Sequence, residues 1–197
     1  MAEQGLAKLA SDDFHPVFLR NATAYGVSPR LRGDLVVNNL TGFALTTGEV
    51  RMKSDGTPWR PLVHIEDIAR AMLAVCEAPV EKIHLEAYNV GRTAENYRIR
   101  EVAEIVEEIV PNSKISFADS AGPDLRNYRV NCDKLAEAVG FHTKWTVPDG
   151  IRELYEAYLA NGLTLEDLEG NRFMRIKKVS ELLESGRLDA NLAWTGA

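Results

Sequence analysis

The sequence predicts an α/β protein with more helix than strand, and three observations carry that prediction. Segments with apolar residues at helical spacing alternate with apolar runs too short to be helices. Prolines and glycines punctuate the boundaries between them. The composition, 45% hydrophobic and 26% charged over 197 residues, suits a chain that buries a core.

Residues 2–12 read as a helix, with Leu6, Leu9 and Ala10 on one side and Asp12-Asp13 ending it. The short apolar run 16–20 after Pro16 reads as a buried strand, and a Gly/Ser/Pro-rich loop follows from Tyr25 to Gly33. Asp34 is the expected N-cap of a helix that turns Leu35, Val36, Leu40, Phe43 and Ala44 inward. Val50 and Met52 alternate with charged residues, Asp55-Gly56 supplies a turn, and 61–64 continues as strand. Ile68, Ala69, Met72, Leu73 and Cys76 recur with helical period over 66–78, and Pro79 stops them. A strand over 87–91 ends on Gly91, and 98–110 has the clearest helical stripe of the chain. Residues 114–118 alternate as a strand. Helices over 133–139 and 149–161 end at Gly140 and Gly162, which stand in C-terminal capping position. Thr164 and Asp167 have capping-box spacing, and a last helix over 175–185 stops at Gly186 before a tail.

Length fits one domain with room for a small appendage, short of a large two-domain enzyme. Lys and Arg total 23 against 29 Asp and Glu, for a net charge of −6. That acidity argues against a general binder of nucleic acid or anionic membrane. No apolar stretch approaches the roughly 18 residues of a membrane span, and the first residues lack signal-peptide character. Cys76 and Cys132 form neither a disulfide framework nor a CxxC knuckle, so two reduced thiols in the cytoplasm are expected.

Self-sufficient catalytic motifs are missing from the sequence. None of the 14 glycines pairs at G-x-G or G-x-x-G spacing, and no tyrosine precedes a lysine by four residues. His15, His64, His84 and His142 are scattered without metal-ligand spacing, so no metal is expected and they read as structural or surface residues. What the chain offers instead is arginine and asparagine near predicted strand ends: Arg20-Asn21, Arg60 and Asn89, with Arg126, Tyr128 and Arg129 in a loop. Pockets of open α/β sheets lie beyond strand carboxyl ends. Arginine presents a planar fork suited to diphosphate, and asparagine both donates and accepts. Asn38-Asn39 stand out because two amides inside an apolar helix need partners if buried.

Four segments, 19–29, 55–71, 88–91 and 124–141, occur in an order and spacing that resembles the C-terminal part of extended short-chain dehydrogenases/reductases, the NAD-dependent sugar-nucleotide epimerases and dehydratases. The most specific is Gly56-x-x-x-Arg60 followed by Asp67, similar to the family's G-x-x-x-R-x-x-x-x-x-x-D. The resemblance covers roughly residues 1–160, by motif position. It implies a partial Rossmann-type sheet edge over 1–33, a small α/β substrate-binding region over 34–162, and a C-terminal helix and tail over 163–197. It implies that Arg60 and Arg126 bind a nucleotide diphosphate, that Asn38 holds the sugar nucleotide, and that Asn89 and Tyr128 line the same cleft. Tyr25 would border the nicotinamide, with Thr23 where the family often has Asn. Asp67 would cap or brace the following helix.

In that family the Gly-rich NAD loop and the catalytic Tyr and Lys lie further N-terminal, so no catalytic residue is expected in this chain. The implied cofactor is NAD, without its binding loop. The implied partners are a nucleotide-diphosphate sugar and either a Rossmann half or further copies of the chain, because the 16–20 strand would leave an unpaired edge. A non-catalytic nucleotide-sugar-binding module and a helical interaction domain acting through the tail are the alternatives.

Overall fold

The computed structural model describes residues 2–117 and 127–196. In chain order the elements begin with α1 (Ala2–Ala7), β1 (Phe18–Asn21), β2 (Thr23–Tyr25), α2 (Val36–Thr47), β3 (Glu49–Met52) and β4 (Trp59–His64). They continue with α3 (Ile65–Cys76), α4 (Val80–Ile83), β5 (Ala87–Val90), β6 (Asn96–Arg98), α5 (Ile99–Ile109) and β7 (Lys114–Phe117). The last four are α6 (Asp133–Val139), α7 (Val147–Ala160), α8 (Leu165–Glu169) and α9 (Arg175–Glu184). The fold is therefore the helix-rich α/β class the pattern predicts, and the strands pair in small sheets. β1 runs parallel to β5, β3 parallel to β7, and β4 lies between parallel β2 and antiparallel β6.

β4 organises the interior because alternate side chains of a strand face opposite ways. Leu62 joins a core built from Val37 and Leu40 of α2, Val102 and Val106 of α5, and Ile151 and Leu154 of α7. Val63, one residue on, joins a second core with Ala71 and Val75 of α3, Val90 of β5 and Leu135 of α6. One strand thus joins two hydrophobic clusters.

Several boundaries differ from expectation, each for a local reason. α1 stops at Ala7 instead of running to residue 12, since Leu9 is 65% exposed and finds no core to pack against. Asp34 does not cap α2. It binds Arg32 through both oxygens, at 3.0 and 2.5 Å, and Leu35 takes the cap position without a side-chain bond. α7 begins at Val147, where Thr146 accepts from the Asp149 amide and a proline fits the first turn. β2, β6 and α4 span only three or four residues, too few to show a period. The Thr164 and Asp167 capping box does form, and α8 places Leu168 without exposure against Gly33 and Gly42. The C-terminal segment is docked on α2 at that point. Among the described residues, no helix is long and apolar enough to cross a membrane.

Candidate functional site

The motif at 56–67 resolves into three jobs. Gly56 adopts φ +79°, and a Cβ there would stand 2.3 Å from the Met52 Cε and 2.8 Å from the Arg100 Cβ, so only glycine makes this turn into β4. Four residues on, Arg60 is 6% exposed. It donates through Nη1 to the Trp59 carbonyl at 2.7 Å, and its guanidinium lies 5.7 Å from the Tyr128 ring centroid. Asp67, with no exposure, accepts from the backbone amides of Lys144 at 2.9 and 3.0 Å and Trp145 at 3.0 Å, and from Arg70 at 2.6 Å. It is a brace between α3 and the segment before α7.

Arg60 opens into a cavity of about 320 Å³ that is also lined by Thr23, Asn39, Arg51, Lys53 and Tyr128. Four of these, Thr23, Asn39, Arg60 and Tyr128, are positions the sequence singles out. Arg51 and Lys53 come from the charged half of the alternation that marks β3, which is the signal that identifies them. Arg51 is held over Phe43 at 5.0 Å and bonded to Glu49, so its guanidinium is oriented before any ligand arrives. Asp34, also on the wall, is kept below its ordinary carboxyl range by the Arg32 hydrogen bond. Lys53, Arg51 and Arg60 leave the cavity positive inside an acidic chain.

The other expected positions fall elsewhere. Asn38 is buried, its Oδ1 accepting from Gly26 N at 3.1 Å and its Nδ2 donating to the Arg32 carbonyl at 3.1 Å. It stitches the loop between β2 and α2, while its neighbour Asn39 donates to the Gly33 carbonyl at 2.6 Å and lines the cavity. Tyr25 is 1% exposed, turned inward, and its hydroxyl is pushed far above its usual range by burial. Asn89 sits opposite Arg20 in the β1–β5 pair and donates to the Asn131 carbonyl at 2.9 Å, away from the cavity lining. Arg126 lies outside the described residues.

Outside the cavity lining stands a cluster that motif reading missed. His64 is 2% exposed, stacks on Trp145 at 4.0 Å, meets Tyr25 edge-on at 5.3 Å, and accepts from Glu66 N through Nδ1. Its Nε2 therefore carries the proton and donates to Glu153 at 2.9 Å. The same Glu153 oxygen accepts from Val27 N at 3.2 Å. Gly26 and Gly150 complete the fit: a Cβ on the first would stand 2.4 Å from His64, and one on the second 2.2 Å from Tyr25. Among the described residues no set of three His, Cys, Asp or Glu could hold a metal ion.

A sequence profile described as the NAD dependent epimerase/dehydratase family matches residues 1–91. The chain is 31% identical over 148 residues to dTDP-glucose 4,6-dehydratase of Shigella flexneri, covering 71% of this chain and 38% of that protein. It is 30% identical over 112 residues to a putative GDP-L-fucose synthase 2 of Oryza sativa subsp. japonica, covering 57% of this chain and 31% of that protein. Among solved structures, the UDP-glucose 4-epimerase of Thermotoga maritima with UDP-glucose superposes with a TM-score of 0.68 at 24% identity, over 81% of this chain and 51% of its own. The NAD complex of dTDP-glucose 4,6-dehydratase from Bacillus anthracis gives 0.64 at 22% identity, over 77% and 47%. The chain thus spans well under half the length of the curated relatives it matches.

Proposed function

We propose, from the profile match over residues 1–91 and the 31% identity to a dTDP-glucose 4,6-dehydratase, that the chain belongs to the NAD-dependent epimerase/dehydratase family and forms the sugar-nucleotide-binding part of such an enzyme, with the diphosphate on Arg60. One observation carries this: a nearly buried guanidinium opens into a 320 Å³ cavity beside two further cations and an aromatic ring. A guanidinium fork matches a diphosphate and is reinforced where water is excluded. Asn39 and Thr23 supply the mixed donor and acceptor groups that sugar hydroxyls need, and Arg126, two residues before Tyr128 in the sequence, is the proposed second diphosphate contact. Tyr128, 48% exposed and set against Arg60, closes over the ligand.

The residues present do not by themselves fit NAD. No Gly-rich turn opens a helix here, Thr23 belongs to the sugar-nucleotide cavity, and the Tyr25 ring is enclosed by His64 and Gly150. The Gly26–Val27 turn can border a cofactor but not hold its phosphates. We place the acid, base and hydride-accepting groups outside these 197 residues. The partner that brings them would meet β1, which pairs only with β5 among the described residues, and the exposed Leu6, Leu9 and Phe14 beside it.

Calorimetry of the full chain with UDP-, TDP-, CDP- and GDP-sugars tests the assignment. Saturable binding of at least one is expected. Arg60→Ala is expected to weaken it by about tenfold or more, the equivalent of ~1.4 kcal/mol for a charge-assisted contact. Unchanged binding by a folded Arg60→Ala protein would refute the site.

A further inference from the structure

A second cleft, of about 580 Å³, runs between residues 29–31 and the start of α9. It shares no lining residue with the Arg60 cavity. Four cations line it, Arg30, Arg172, Arg175 and Lys178, and no carboxylate does. This concentration stands out in a chain whose net charge is −6.

The walls are held in place. Gly33 donates to the Phe173 carbonyl at 3.0 Å, tying the Arg30 loop to the segment that leads into α9. Arg172 lies over the Phe173 ring at 5.1 Å and pairs with Asp167 at 2.7 Å, and Lys178 pairs with Glu181 at 2.8 Å. Two of the cations are therefore oriented by neighbours while their remaining donors face solvent. Arg30 and Arg175 have no carboxylate within ion-pair distance among the described residues. Asp34, whose carboxyl feels the charge of Arg175, is already bonded at two points to Arg32.

We propose that this cleft binds a phosphate or diphosphate group. Arginine and lysine only donate, so the complementary ligand must be rich in acceptors and negatively charged, and guanidinium forks match phosphate oxygens in pairs. Arg30 and Arg175, with Arg172 and Lys178 partly offset by Asp167 and Glu181, suit a small polyanion and are too few for a duplex. The assignment is independent of the function proposed for the Arg60 cavity.

Isothermal titration of the full chain with inorganic pyrophosphate, and separately with ADP, tests it at low ionic strength. Arg30→Gln/Arg175→Gln is expected to weaken pyrophosphate binding about tenfold or more, since each lost guanidinium removes a charge-assisted contact. The comparison is made in an Arg60→Gln background, which removes the diphosphate contact proposed for the first cavity: saturable pyrophosphate binding is expected to persist there and to weaken when Arg30→Gln/Arg175→Gln is added, while the double variant alone leaves sugar-nucleotide binding in place. Equal affinity for pyrophosphate and ADP identifies phosphate as the group recognised, and tighter ADP adds the nucleoside to it. Absence of saturable pyrophosphate binding in the Arg60→Gln protein overturns the proposal, as does binding there that keeps its affinity when Arg30→Gln/Arg175→Gln is added. Both substituted arginines are exposed, so circular dichroism is expected to show an unaltered fold.

Discussion

Replacing Asp67 by Asn is expected to cost stability out of proportion to the chemical change. The carboxylate has no exposure and holds three partners: Lys144 N at 2.9 and 3.0 Å, Trp145 N at 3.0 Å, and Arg70 at 2.6 Å. An amide keeps one oxygen and turns an NH₂ toward donors, so about two charge-assisted bonds are lost and buried N–H groups lose their acceptor. At ~1.5–3 kcal/mol each, the loss is roughly 3–5 kcal/mol. For a chain of this size that corresponds to a melting shift of roughly 6–20 °C. The consequence extends further, because Trp145 is the surface on which His64 stacks at 4.0 Å, and His64 backs the Gly26 turn. Urea unfolding followed by circular dichroism measures the effect, with Glu104→Gln as the comparison. Glu104 belongs to an exposed pair with Arg100 and is expected to change stability by less than ~0.5 kcal/mol. An Asp67→Asn protein within ~0.5 kcal/mol of wild type would refute the role of Asp67 as the brace.

Three further outcomes are expected. Glu95 is 6% exposed, and burial raises its carboxyl above the ordinary value of 4.5. A raised folded-state value means stability present below 4.5 and lost as pH climbs through the raised range. Glu95→Gln should remove that loss and be the more stable protein at neutral pH, as read from unfolding midpoints across a pH series. Gly150→Ala, a change that usually favours a helix, should instead destabilise by ~1–3 kcal/mol, because the new Cβ would stand 2.2 Å from the buried Tyr25 ring. A gain in melting temperature would contradict the packing. Leu168→Ala should cost ~2–5 kcal/mol by opening a cavity under α2, and limited proteolysis should then cut first within 163–197. Protection equal to wild type would show that the segment docks by other contacts.

Much of the framework was legible from local rules. Gly140 does take φ +71° at the end of α6, and the Thr164–Asp167 capping box forms, because capping depends on groups within four residues of each other. The Gly56–Arg60–Asp67 spacing was visible too, with Asp67 rightly expected to brace or cap. Its partners at 144 and 145 were not. Asn38 and Asn39 show the limit most clearly. Both were recognisable as amides in need of partners, yet only the packed loop 26–33 directs Asn38 to backbone and leaves Asn39 on the cavity wall.

Sequence alone determined the α/β class, the helical and strand periods, most helix ends, the acidic balance and the arginine-bearing motif. These follow from composition and from contacts between near neighbours. Tertiary structure alone decided that Tyr25 faces inward, that Arg51 and Lys53 join Arg60, and that Glu153 reaches across 126 residues to hold Val27. Where a side chain points from a loop is set by the surfaces packed against it, and those surfaces come from distant parts of the chain.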